Sequence, residues 1–181
     1  MKIYLFFLLN VIFVSVSVLP QSNAQTNSTT NGTLPTGNLT GPGNLTGTAQ
    51  PGNLTGTTQT DLIGSAQPDN LIGTTSDDFI FGGAGFDNIT GNQGNDEIDG
   101  GVGGDNIVGG DGDDLIFGGI GNDNISGGEG NDDLYGGPGA DFLDGGTGTD
   151  YFDCGTSSDT ISNVNISEGD IVTANCEKMT R

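Results

Sequence analysis

The 181-residue sequence contains no histidine and no tryptophan, only two cysteines and only three basic residues. Without histidine there is no imidazole for general acid–base catalysis and none to complete a zinc site. Between Lys2 and Lys178 no basic residue occurs, while 24 acidic residues bring the formal net charge to −21. Phosphate neutralisation and attraction to anionic lipid both require a cationic surface, so nucleic-acid binding and electrostatic membrane adhesion are excluded. Neither GxSxG nor HExxH is present, and no reactive constellation can be assembled from the side chains available, so the chain reads as non-catalytic. Few apolar residues with charge of one sign is ordinarily the composition of a disordered chain, unless something neutralises the carboxylates. What the sequence holds in excess is glycine, 35 residues, close to three times its usual share.

At the N-terminus Lys2 precedes an apolar run from Ile3 to Leu19, followed by Pro20 and Ser22-Asn23-Ala24. This order predicts a secretory signal peptide over residues 1–24 with cleavage after Ala24, and an exported mature chain with no membrane insertion. The alternative is an uncleaved anchor, for which the run is at the short edge of what spans a bilayer. Residues 25–60 contain no charged residue, and TGNLTG, PGNLTG and PGNLTG recur from Thr36, Pro42 and Pro51. No helical or strand period appears, which predicts a disordered Thr/Gly/Asn/Pro-rich linker without a packed core. Five Asn-x-Ser/Thr sequons, at Asn27, Asn31, Asn38, Asn44 and Asn53, raise the sharper reading of a glycosylated stalk.

From Gly64 the chain becomes strictly periodic. In nines it reads GSAQPDNLI, GTTSDDFIF, GGAGFDNIT, GNQGNDEID, GGVGGDNIV, GGDGDDLIF, GGIGNDNIS, GGEGNDDLY, GGPGADFLD, GGTGTDYFD and CGTSSDTIS, eleven units that fill residues 64–162 without insertion or deletion. Position six is Asp in every unit, from Asp69 and Asp78 to Asp159, and position eight is apolar in every unit, from Leu71 and Ile80 to Ile161. A merely soluble Gly/Asp tract would let position eight drift. Each unit divides into a six-residue loop and a three-residue segment whose central side chain points inward while its neighbours face solvent. Twenty acidic residues between 64 and 162 have no basic partner within the array, and without bound cations they would drive the units apart. Glycine-rich loops expose backbone carbonyls beside the Asp carboxylate, an all-oxygen donor set that suits hard Ca²⁺.

The pattern GGxGxDxUx resembles the RTX (repeats-in-toxin), or hemolysin-type, calcium-binding nonapeptide repeat, a consensus with a known Ca²⁺-binding role. The resemblance implies an all-β fold, a right-handed parallel β-roll with two repeats per turn, and Ca²⁺ held between successive turns. Loops 18 residues apart then share an edge, and position-six carboxylates from neighbouring turns flank one ion together with loop carbonyls. Carried onto this sequence, the carboxylates are Asp87, Asp96, Asp105, Asp114, Asp123, Asp132, Asp141 and Asp150. The loop backbone is that of Gly82, Gly85, Gly91, Gly94, Gly100, Gly103, Gly109, Gly112, Gly118, Gly121, Gly127, Gly130, Gly136, Gly139, Gly145 and Gly148. Pairing each unit with the unit two ahead gives about six Ca²⁺ sites, three along each edge, with more at the array ends if the flanking units take part. Ligation at Asp78 and Asp159, and at Asp69, is weaker, because Ser76, Ser157 and Gln67 replace the position-four glycine. Position seven of alternate units places Asn70, Asn88, Asn106 and Asn124 in a column suited to a hydrogen-bond ladder or to simple polar surface.

After Ser162 the nine-residue phase is lost, and residues 163–181 are expected to cap the roll of residues 61–162, with Val164, Ile166, Ile171 and Val172 closing its open end. Cys154 and Cys176 suggest a disulfide in an exported protein; two free thiols or an intermolecular bond are the alternatives. The functional expectation is an exported, extracellular or cell-surface calcium-ion-binding module that folds on Ca²⁺. The competing expectation is a surface-layer or matrix component stiffened by calcium, with an unidentified surface or matrix partner.

Overall fold

The computed structural model describes residues 39–41, 45–46, 52–57, 61–176 and 178–179. The signal segment and the sequons at Asn27, Asn31, Asn38 and Asn44 lie outside the described residues. Short strands begin at position seven of each unit, because three residues with the central one apolar satisfy the out–in–out alternation of a half-buried strand. Asn70–Ile72 and Tyr151–Asp153 are examples, each with only the middle residue buried. In the glycine-rich central units the strand bends around the corner and continues, as in Asn106–Asp111 and Leu115–Ile120.

All strand pairs are parallel, and the strands sort into two sheets, alternate units going to alternate sheets. The described residues contain no helix, and none therefore long and apolar enough to cross a membrane. One sheet aligns Leu71, Ile89, Ile107, Ile125, Leu143 and Ile161 rung on rung. The other aligns Ile80, Ile98, Ile116, Leu134 and Phe152. Every one of these side chains is at most 1% exposed. The molecule is a parallel β-roll whose core is two columns of position-eight side chains facing one another.

Within residues 25–60, expected as a linker, the described residues include strands of the roll. Asn53–Gly56 is a strand that pairs with Asn70–Ile72, and Leu54 and Leu62 are buried in the same core. Leu39–Gly41 and Leu45–Thr46 extend the two sheets by a further rung each. Leu54 of the Asn53-Leu54-Thr55 triplet supplies an inward-facing side chain. The offset between rungs shortens, Leu39 pairing with Leu54 and Leu54 with Leu71. That shortening is why a strict nine-residue period stops at Gly64.

The C-terminal segment is a continuation of the roll as well as its cover. Ile171–Val172 pairs with Tyr151–Asp153, and Lys178–Met179 pairs with Thr160–Ser162. Val164, Val172 and Cys176 pack against the core, whereas Ile166 and Ile171 are 61% and 58% exposed. Ile171 occupies the outward-facing position seven of its rung, opposite Tyr151, and so does not close the end. Cys154 and Cys176 form a disulfide across a separation of 22 residues, with Cα atoms 5.1 Å apart. Replacing both by Ser should cost roughly 3 kcal/mol in the chain-entropy model. The final turn around Phe152 should lose amide protection first. Hydrogen exchange checks this, with the central rungs expected to keep wild-type protection because solenoid units touch only their neighbours.

Candidate metal centre

The position-six aspartates form two ladders, one along each edge of the roll. In each rung the backbone N–H of one Asp donates to Oδ1 of the Asp one turn ahead: Asp78 to Asp96, Asp96 to Asp114 and Asp114 to Asp132 on one edge, at 2.8–2.9 Å. The other edge runs Asp69, Asp87, Asp105, Asp123, Asp141 and Asp159 by the same bond. All of these carboxylates are buried, at most 4% exposed.

One oxygen of each carboxylate is thereby used, and the fate of the other divides the ladder. Oδ2 of Asp87, Asp96, Asp105, Asp114, Asp123, Asp132, Asp141, Asp150 and Asp159 is buried with no hydrogen-bond partner. A buried carboxylate oxygen left bare costs its full desolvation, about 1–3 kcal/mol or more for a charged group, so nine of them in register call for a cation. At the ends the same atom is satisfied. Oδ2 of Asp69 accepts from the Ser65 N–H at 2.6 Å, that of Asp78 from the Thr74 N–H at 2.6 Å, and that of Asp170 from the Asn165 N–H at 2.6 Å.

The residue at position two decides between the two states. Gly83, Asn92, Gly101, Gly110, Gly119, Gly128, Gly137, Gly146 and Gly155 all have positive φ, from +85° to +134°. In their units no amide closes the carboxylate. Ser65 and Thr74 avoid that region, which L side chains enter at a cost, and their N–H groups close the Asp instead. Asp159 therefore stands with the open central rungs, since Gly155 and Ser157 of its unit have φ of +85° and +106°.

Position one is glycine for a different reason. An added Cβ on Gly91 would lie 2.2 Å from Asp96 Oδ2 and 2.7 Å from the Gly109 carbonyl oxygen; on Gly109 it would lie 2.2 Å from Asp114 Oδ2 and 2.8 Å from the Gly127 oxygen. The bare carboxylate oxygen and a carbonyl oxygen of the next turn thus converge on one small space that a methyl group would fill. Position-four glycines are needed elsewhere: a Cβ on Gly103 or Gly121 would fall 1.4 or 1.2 Å from the carbonyl oxygen one turn back. They permit the loops to stack. Gly109→Ala should therefore raise the cation concentration needed for folding and destabilise by about 1–3 kcal/mol, read from a cation-dependent melting series. An alanine at exposed Asp111 in the same loop should change little.

The space suits a hard cation. Its donors are carboxylate and carbonyl oxygens, without nitrogen or sulfur. Among the described residues no three Asp, Glu or Cys side chains converge on one point, so an ion here would have to draw on backbone carbonyls as well as carboxylates. In the metal-free ladder, burial first and the neighbouring aspartates second push the carboxyls upward: Asp96 and Asp141 to about 6, Asp105, Asp114 and Asp132 to about 7. Backbone hydrogen bonding offsets only part of this.

A carboxyl raised above its unfolded value of 3.8 stabilises the fold fully below that value and loses the contribution as pH rises through its folded value. The metal-free roll should accordingly melt at a higher temperature at pH 5 than at pH 8. With the cation bound the order reverses, because protons compete with it for the same oxygens. Melting curves in calcium-depleted and calcium-containing buffer at both pH values check the crossing.

These features define a class, a parallel β-roll whose edges are lined with buried, stacked carboxylates open to a hard cation. Its sequence matches the family model of the RTX calcium-binding nonapeptide repeat in four copies, over residues 63–98, 72–107, 99–134 and 126–161. The chain belongs to that family. No curated protein matches the chain. The period together with the resemblance pointed to the two ladders, but it passed over Asp170, which takes the next rung beyond Asp150 at an offset of 20 residues. Its only signal is the Asp-x-apolar triplet Asp170-Ile171-Val172 recurring out of phase.

Proposed function

We propose that the protein is an exported, non-catalytic calcium-binding module whose roll folds as its loops take up Ca²⁺. The observation that carries this reading is the set of nine buried, unpartnered Asp Oδ2 atoms in a chain of the RTX calcium-binding repeat family. Each ion would sit between two such aspartates one turn apart, with position-one carbonyls completing the shell. Four pairs lie on the edge from Asp87 to Asp159 and three on the edge from Asp96 to Asp150, giving seven sites. Asp69, Asp78 and Asp170 would be closed end rungs that hold the array without metal. Export is supported by the signal-like N-terminal segment and by a disulfide, which persists in oxidising compartments.

Counting bound calcium by equilibrium dialysis of the mature protein tests the reading. About seven ions per chain are expected, at concentrations of roughly 10⁻⁴–10⁻³ M as in extracellular modules. One ion or none would overturn it.

A further inference from the structure

The two edges of the roll differ on their outer side. Position three on one edge reads Gln93, Asp111, Glu129 and Thr147 in register, all polar and exposed. On the other edge the corresponding residues are Val102, Ile120 and Pro138, with Val102 and Ile120 51% and 57% exposed. This apolar column adjoins the outward position-nine row Phe81, Asp99, Phe117 and Tyr135, which lies rung on rung along one sheet. The Phe117 and Tyr135 rings are stacked with centroids 4.9 Å apart. Row and column together line a single open groove that runs along the roll axis. Its length from Phe81 to Tyr135 is three strand spacings, about 14 Å, which an extended chain covers in about four or five residues.

The chemistry of the groove selects its occupant. Asp99 is the one charged side chain in the row, held between Phe81 and Phe117, with Glu97 and Asp133 exposed on the same sheet face. A carboxylate flanked by aromatic rings attracts an ammonium or guanidinium through both its charge and the ring faces. The valine, isoleucine and proline side chains offer no donor or acceptor to a sugar hydroxyl, so a saccharide would leave its polar groups unpaired along that wall. A second copy of this chain would set Glu97, Asp99 and Asp133 against acidic side chains of the same kind, with no basic residue between Lys2 and Lys178 to meet them, and be repelled. We propose that the groove receives an extended segment of a partner protein in which a Lys or Arg lies among apolar residues, the cation over Asp99 and the apolar side chains along Val102, Ile120 and Pro138. The groove is distinct from the aspartate ladders, since its residues face solvent at positions three and nine.

The probe is the peptide acetyl-Val-Lys-Val-Leu-Val-amide, titrated into the isotopically labelled mature protein in millimolar calcium and followed by amide chemical shifts. Shifts are expected at Asp99, Val102, Phe117 and Ile120. Ile120→Asp should weaken binding about tenfold and Asp99→Asn about fivefold, both with an unchanged calcium requirement for β structure. Should Ile120→Asp lose its fold, Asp99→Asn carries the comparison alone. The counterpart peptide with Glu for Lys should bind at least about tenfold more weakly. Absence of shifts at these amides, equal binding of the Glu peptide, indifference to Asp99→Asn, or capture of cellotetraose in the groove instead would each overturn the proposal. Calcium counts stay as proposed in every one of those outcomes, so the two readings fail separately.

Discussion

Moved from millimolar calcium into calcium-free buffer at pH 8, the protein is expected to lose most of its β signal in far-ultraviolet circular dichroism and to recover it when calcium returns. The core is only one side chain deep in each column, from Leu54 to Ile161, a modest apolar burial for a chain with this much backbone to order. Against it stand two rows of buried carboxylates, which in mid-array raise one another, as Asp132 and Asp96 do for Asp114. No basic residue between Lys2 and Lys178 offsets them. On the proposed reading cations would supply the missing counter-charge, and their binding free energy would become folding free energy. The refolding midpoint should fall near roughly 10⁻⁴–10⁻³ M. Magnesium at equal concentration should restore less, because it demands a small octahedral shell and gives up water reluctantly. A β signal identical in the presence and absence of calcium would contradict this.

The second large effect concerns where along the ladder a carboxylate is removed. Asp114 accepts the Asp96 N–H and donates its own to Asp132, and on the proposed reading its free Oδ2 would be shared between the sites on either side. Asp114→Ala should therefore remove two ions and leave the buried Asp96 amide without an acceptor, at about 1–3 kcal/mol for the amide alone. Because a solenoid's stability is nearly a sum over neighbours, a break in mid-array uncouples the two halves. Asp114→Asn keeps the Oδ1 acceptor while losing the charge. It should bind two fewer ions with less structural damage, which separates ligation from the backbone bond. Asp69 is the contrasting case. Its oxygens are taken by the Gly52 amide and by Ser65, so Asp69→Ala should loosen only the first turns and leave the ion count intact. Calcium titrations of the three variants decide it, and coincident midpoints for Asp114→Ala and Asp69→Ala would sink the ladder account.

Much of this was legible in the sequence because a solenoid translates period directly into space. Two positions held in phase over eleven units mark which side chains are equivalent, and the two repeats per turn implied by the resemblance stack Ile89, Ile107 and Ile125 as the register shows. What could not be read was everything that departs from the period. The rung at Leu54 was hidden because its turn is short and Gly52 stands where Asp is expected. Asp170 was hidden because an insertion moves it out of phase. Nor does a composition of glycines say which serve conformation and which serve space. Positive φ at Gly110 and the carboxylate lying against Gly109 are adjacent residues with different physical requirements. Gly position four alone groups Asp159 with Asp69 and Asp78, whereas the carboxylate contacts divide them. Asp159 keeps a bare oxygen because Gly155 at position two takes positive φ, whereas Asp78 is closed by Thr74.

The most direct test is the placement of calcium itself, by anomalous diffraction from crystals of the mature protein grown in millimolar calcium. The account predicts peaks about 2.3–2.6 Å from Oδ2 of the nine open aspartates, each between two turns, and none beside Asp69 or Asp170. Peaks absent from the ladders, or confined to exposed carboxylates such as Asp111 and Glu129, would contradict it.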